Sequence, residues 1–244
     1  MRIFLILTIM IFVSFVAKSD QIYEIIKLPN LETYSDTKNK IKFLFAKGSV
    51  NAGVGIDSIN CEKPIEKDLD NKIIISNKNF KRYSVFFLNE INLKYIVFCD
   101  NLKISEISAN GFANPEMRTI VLNTSTDKKI FNRILHHEIF HIIQHNHKKK
   151  FNEKEWNNFN KSNFLYSNCN TCKESSNLKL LKSTNGFFTD YSKYSASEDM
   201  AETFSFIMTE NNMVKELLKN DEILRKKVNF IKKNIFKIDK NFKF

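Results

Sequence analysis

Glycine and proline are scarce in this chain, 5 and 3 among 244 residues, and no Pro- or Gly-rich stretch, repeat or low-complexity tract divides it. Nothing therefore reads as a linker between domains. A single globular unit is expected, for which 43% hydrophobic and 13% aromatic residues supply an ample core and argue against disorder. Long apolar runs are also missing, with one exception. Arg2 precedes a stretch from Ile3 to Val16, about 14 residues against the roughly 20 needed to cross a bilayer. Ala17-Lys18-Ser19 then offers small residues where a signal peptidase reads. The expected organisation is a cleaved signal peptide at 1–19 and one domain at 20–244 with its core at 72–210. No stable membrane span should remain after cleavage, and the product should be secreted or periplasmic. No Cys follows the cleavage site, so a bacterial lipid anchor there has no attachment point.

Cysteine is sparse too, with four residues. Thiols outside the cytosol tend to pair, and neighbours in sequence meet at the lower entropic cost, which favours Cys61 with Cys99 and a small loop from Cys169 to Cys172. C-N-T-C has no second pair downstream to make a zinc knuckle, and no βαβ context to make it a redox motif. Acidic residues are outnumbered, 27 against 38 Lys and Arg, for a formal charge of +11. The lysines are scattered among Asn, Phe and Ile along the whole length, so the excess is read as compositional bias and no specific nucleic-acid partner is expected.

Four β-branched or aromatic runs read as strands: KIIIS (72–76), RYSVFFL (82–88), LKYIVFC (93–99) and RTIVLN (118–123), while KIKFLF, from Lys40, suits strand or helix. After Asn123 the apolar period changes. Ile130, Ile134, Leu135, Phe140 and Ile143 are spaced for a helix from about Asp127 to Asn146, with Lys148, Lys149 and Lys150 just past its C-terminus, where cations are favoured. A short helical piece around Trp156 and helices at 198–210 and 214–235 follow. Strands first and helices second make an α+β layout.

Histidine is the most unevenly spent residue: all 5 lie between His136 and His147. His137-Glu138-Ile139-Phe140-His141 is H-E-x-x-H. Residues four apart lie about 40° from each other around a helix, so both imidazoles project from one face and can grip one ion. Glu138 is displaced from that axis and can reach a water beside the ion. Zinc held by two His and a third protein ligand keeps one position open and lowers the pKa of water there to about 7. After His141 the chain reads IIQHNHK, without the Gly and His of a metzincin, and His145 and His147 are too close along the same helix to complete a tetrahedral site. They and His136 are taken as flanking. A later carboxylate must serve, and S-E-D-M-A-E sets Glu198 and Glu202 four apart on one face: one acid can bind the ion while the other accepts from the outer nitrogen of a ligand His. Alternatively Glu198 is only the capping-box partner of Ser195, with Glu202 a solvated charge.

H-E-x-x-H with a Glu from a second helix resembles the gluzincin arrangement. The blocks Arg118-Thr119-Ile120 with Asn123, His136 to His141, Trp156 with Phe164 and Tyr166, Gly186-Phe187 with Tyr191, and Glu198 to Glu202 resemble those of secreted zinc metallopeptidases of that class, over about residues 115–210. The resemblance implies a zincin-like fold, with a mixed or antiparallel sheet ahead of the active-site helix and further helices behind it. It also implies one Zn2+ on His137, His141 and Glu198, with Glu202 behind them. Glu138 would be the general base and Tyr191 the hydroxyl that steadies the oxyanion, with Tyr194 as a rival. Peptide or protein substrates follow, and RTIVLN, ending just before the active helix, is placed either as an edge that pairs with an extended peptide or as an interior strand. The alternative is an inactive zinc-binding module acting as a secreted binding protein.

Overall fold

The computed structural model describes residues 30–36, 40–52, 58–167 and 177–244. The expected signal peptide and the Cys169–Cys172 pair lie outside the described residues. The order of elements is β1 (Leu31–Asp36), β2 (Lys42–Ala46), β3 (Val50–Ala52), β4 (Ile59–Glu62), α1 (Glu66–Phe80), α2 (Val85–Glu90), β5 (Tyr95–Ile104), β6 (Ile107–Ser108), β7 (Gly111–Asn114), β8 (Thr119–Asn123), α3 (Lys128–Asn146), α4 (Glu153–Asn157), α5 (Ala196–Thr209), α6 (Asn211–Leu217) and α7 (Glu222–Phe236). The fold is α+β, as the sequence suggests.

β5 is the spine. Its first half pairs in parallel with β2 on one side and β8 on the other, β1 lies antiparallel outside β2, and β7 lies antiparallel outside β8. Its second half leaves that sheet to pair antiparallel with β4 and β6, with β3 beyond β4. Alternation along β5 and β8 serves two cores. Ile96, Phe98, Ile120 and Leu122 face the helices, while Val97, Cys99 and Val121 pack with Leu44, Ile59 and Leu102 on the other side. Cys61 is bonded to Cys99, fastening β4 to the spine.

Two expected strands are helices. KIIIS lies inside α1, where Leu69, Ile73, Ser76 and Phe80 form the buried face while Ile74 stands 67% exposed. Five residues show three adjacent Ile, whereas the helical period appears only from Leu69 to Phe80. RYSVFFL is broken by Ser84, whose hydroxyl accepts from the Phe87 amide at 3.0 Å and starts α2. The helix expected at 214–235 is two helices, because Asp221 stops the first run and caps α7 through the Leu224 amide at 2.9 Å. The same carboxylate accepts from Thr184 Oγ1 and the Gly186 amide, tying the loop ahead of Tyr191 to α7.

RTIVLN forms β8 but is interior, between β5 and β7. β7, the short strand Gly-Phe-Ala-Asn, is the one that borders α3 from the sheet's edge. Asp127 caps α3 by accepting from the Lys129 and Ile130 amides, and Leu135, Ile139, Phe140, Ile142 and Ile143 bury its apolar face. α5 lies alongside, capped by Ser195 at the Glu198 amide.

Candidate metal centre

α3 and α5 turn three side chains toward one point. His137 Nε2 lies 3.1 Å from His141 Nε2 and 2.9 Å from Glu198 Oε2, and the third edge, His141 Nε2 to Glu198 Oε2, is 3.4 Å. Bonds of about 2.0–2.1 Å to a tetrahedral ion require ligand atoms roughly 3.3 Å apart, so the triangle has the size of one tetrahedral face. Its chemistry agrees. Glu202 Oε1 sits 3.0 Å from His137 Nδ1, where it can only accept, so in the neutral imidazole the proton is at Nδ1 and a lone pair at Nε2 faces Glu198. Lone pairs converging at such distances fit a cation between them. Among the described residues, His137, His141 and Glu198 are the His, Cys, Asp and Glu side chains that gather in this way.

Glu202 is fully buried and held in turn, accepting from Thr189 Oγ1 at 2.8 Å with the Arg133 guanidinium 3.9 Å away. Ser195 does cap α5 at Glu198, as the S-x-x-E reading has it, and the carboxylate of Glu198 is still free to face the imidazoles. Burial opposes ionisation of Glu198, but the charges of His141 and His137 and their hydrogen bonds outweigh it and hold its pKa well below the ordinary 4.5. Burial likewise opposes the charged form of His137, and the hydrogen bonds to Glu198 and Glu202 overcome it, raising its pKa well above 6.5. That proton occupies the place a dication would take.

Glu138, 6% exposed, borders the same space, and burial pushes its pKa up against the pull of His137 and His141. Tyr191 begins a single 3-10 turn, Tyr191–Lys193, and its ring lies 5.8 Å from that of His137. Burial first, then the Glu198 and Glu138 charges, keep its phenol protonated by lifting its pKa well above 10.0. Tyr194 stacks on Tyr191 at 5.8 Å, and both line the cleft. His136, next to the cluster, points into the core: Tyr83 Oη lies 2.5 Å from its Nδ1 and Asn79 Oδ1 lies 3.0 Å from its Nε2. His145 lines the cleft without joining the triangle.

The cleft, about 1240 Å³, is walled by the Ile104–Ala113 ribbon on one side and by α3 from Ile134 to His145 and Lys148 beyond it on the other, with Leu178, Tyr191, Tyr194 and Glu198 closing it. Sequence reasoning missed β7 as a wall, and it missed Ser197 and Gln144, which gather around the outer nitrogen of His141. Gln144 stands one turn beyond His141 and Ser197 directly precedes Glu198, so spacing could have found both.

A mixed sheet backed by a helix that presents two imidazoles, with a carboxylate from a second helix completing a triangle in an open cleft, defines a protein with a candidate site for one metal ion. Residues 107–241 match the family described as "Putative zinc-binding metallo-peptidase", and the chain belongs to that family. A crystal structure described as that of a putative zinc-binding metallo-peptidase from Bacteroides caccae ATCC 43185 shares the fold, with a TM-score of 0.51 and 17% identity over 82% of this chain and 80% of that one. No curated protein matches the sequence.

Proposed function

We propose that the chain is a secreted, zinc-dependent endopeptidase with one ion on His137 Nε2, His141 Nε2 and Glu198 Oε2. The observation that carries the proposal is the triangle of ligand atoms, 2.9, 3.1 and 3.4 Å on its edges, with a buried acid at the cleft beside it. Zinc bound there supplies a Lewis acid for the scissile carbonyl and lowers the pKa of water. Glu138 takes the proton of the attacking water on its carboxylate and returns it to the leaving amine, a role suited to a carboxyl whose pKa is raised by burial. Tyr191, kept protonated, donates its hydroxyl to the developing oxyanion, and Tyr194 stacks against it. Glu202 accepts from His137 Nδ1 and fixes which nitrogen faces the ion.

An extended substrate fits the cleft shape. The α3 wall from Ile134 to His145 is ~17 Å long at 1.5 Å per residue, the length of roughly five residues of extended peptide. β7, at the edge of the sheet and bordering α3, offers its outer backbone groups for pairing. Export is supported by the apolar run behind Arg2 and by the Cys61–Cys99 bond, which suits an oxidising compartment. Among the described residues no helix is long and apolar enough to cross a membrane. The test is digestion of a peptide library by the purified chain, with and without chelator, read by mass spectrometry. Chelator-sensitive internal cuts are expected, and cuts unchanged by chelator would overturn the proposal.

A further inference from the structure

The two imidazoles of the metal centre are not held alike. His137 Nδ1 meets the carboxylate of Glu202 directly, at 3.0 Å. Among the described residues His141 Nδ1 meets no carboxylate; its neighbour is the hydroxyl of Ser197, at 3.3 Å. That hydroxyl is 2.6 Å from Gln144 Oε1, and Gln144 Nε2 is 3.1 Å from Glu153 Oε1. The donors and acceptors allow one consistent direction. Nδ1–H of His141 donates to Ser197, the Ser197 hydroxyl donates to the Gln144 carbonyl, and the Gln144 amide donates to Glu153. Each donor finds an acceptor, and the chain ends on an acid.

From this geometry we infer that Ser197, Gln144 and Glu153 form a relay of positioning residues that orients His141 toward the metal and lends it the charge of a carboxylate three hydrogen bonds away. The inference rests on the zinc reading of His137, His141 and Glu198. Hydrogen bonds in a line polarise one another, so a distant anion can strengthen the first bond of the series. The relay also crosses elements: Ser197 lies on α5 beside Glu198, Gln144 lies on α3 one turn after His141, and Glu153 opens α4. It therefore joins three helices at the second imidazole, while the Glu202 contact joins two at the first. Gln144 is buried and Glu153 is exposed on the cleft wall, so the relay's charged end stands where a substrate would lie.

The test is metal affinity, measured by competition with a chromophoric chelator, together with the visible spectrum of the cobalt-substituted protein. Ser197→Ala should weaken metal binding by about 10–100-fold, the usual cost of losing a partner of a ligating His, and shift the cobalt bands. Ser197→Thr, which keeps the hydroxyl, should restore both. Glu153→Gln, at an exposed position that leaves folding intact, should weaken binding by a smaller factor and shift the bands in the same direction. If the unaltered chain binds one metal and Ser197→Ala and Glu153→Gln bind it equally tightly with unchanged spectra, the relay is wrong while the metal centre stands. If the unaltered chain binds no metal, both fall together.

Discussion

Gly111 of the edge strand is pressed so closely onto Glu138 of α3 that a methyl group on it would lie 2.7 Å from Glu138 Oε1 and 2.8 Å from Glu138 Cγ, and 2.6 Å from Ile134 Cγ2. Such distances are too short for carbon, so Gly111→Ala must move the strand or push back both Ile134 and the acid. Displacing a catalytic group by even about 1 Å can cost on the order of 10²-fold. Gly111→Ala is expected to lower kcat/KM by about that factor and leave metal content at that of the unaltered chain. Peptide hydrolysis measured beside metal analysis checks both halves, and full activity would remove Gly111 from any role in placing Glu138.

Glu138→Gln keeps the shape of the side chain and loses its basicity. Metal should remain close to stoichiometric while hydrolysis falls by roughly 10²–10⁴-fold, the usual worth of a general base. His137→Ala and His141→Ala should lose metal and hydrolysis together. Normal cleavage by Glu138→Gln would mean that another group moves the proton.

Beneath the cleft, Lys227 and Asp199 form an ion pair at 2.6 Å with both side chains 0% exposed. Trp156 Nε1 and Tyr166 Oη also donate to Asp199 Oδ2, at 2.8 and 2.7 Å. Removing one partner strands a buried charge, so Lys227→Met should destabilise the fold by about 3–5 kcal/mol. Adding Asp199→Asn should recover part of that loss. Urea unfolding of the two variants measures it, and a single variant as stable as the unaltered chain would contradict the burial of the pair.

Asp221 gives a pH dependence of definite sign. Burial raises its pKa, but hydrogen bonds from the Leu224 amide, Thr184 and the Gly186 amide prevail and hold it below the ordinary 3.8. A depressed carboxyl adds stability that is fully present above the unfolded pKa and is lost as pH falls through the folded one. The stability gap between the unaltered chain and Asp221→Asn should be constant from about pH 7 to 5 and close below about pH 4. Thermal unfolding across that range checks the window; a gap that widened in acid would reverse the assignment.

The centre was more legible in the sequence than the scaffold around it. Spacing puts His137 and His141 on one face of a helix, as the structure has them, and the apolar period set α3 within one residue of its observed start at Lys128. LKYIVFC and RTIVLN were readable because their β-branched residues are buried on both faces of the sheet. KIIIS was not, since Ile73 and Ile74 differ only in which side of a helix they occupy. The strand Gly111–Asn114 carries no run of apolar residues, because its place is set by pairing with β8 and by closeness to Glu138. Pairing across the sheet is a long-range property that a local window does not contain. Nor does spacing reveal that Asp199, beside Glu198, points away from the cleft to meet a lysine from α7.

That lysine gives the order of synthesis a bearing on the metal centre. Glu198 and Asp199 leave the ribosome well before residue 227, and until α7 follows, α5 must carry an acid with no cation to answer it in a dry interior. The helix that presents Glu198 therefore gains the cation that answers its buried acid only once residue 227 has been made.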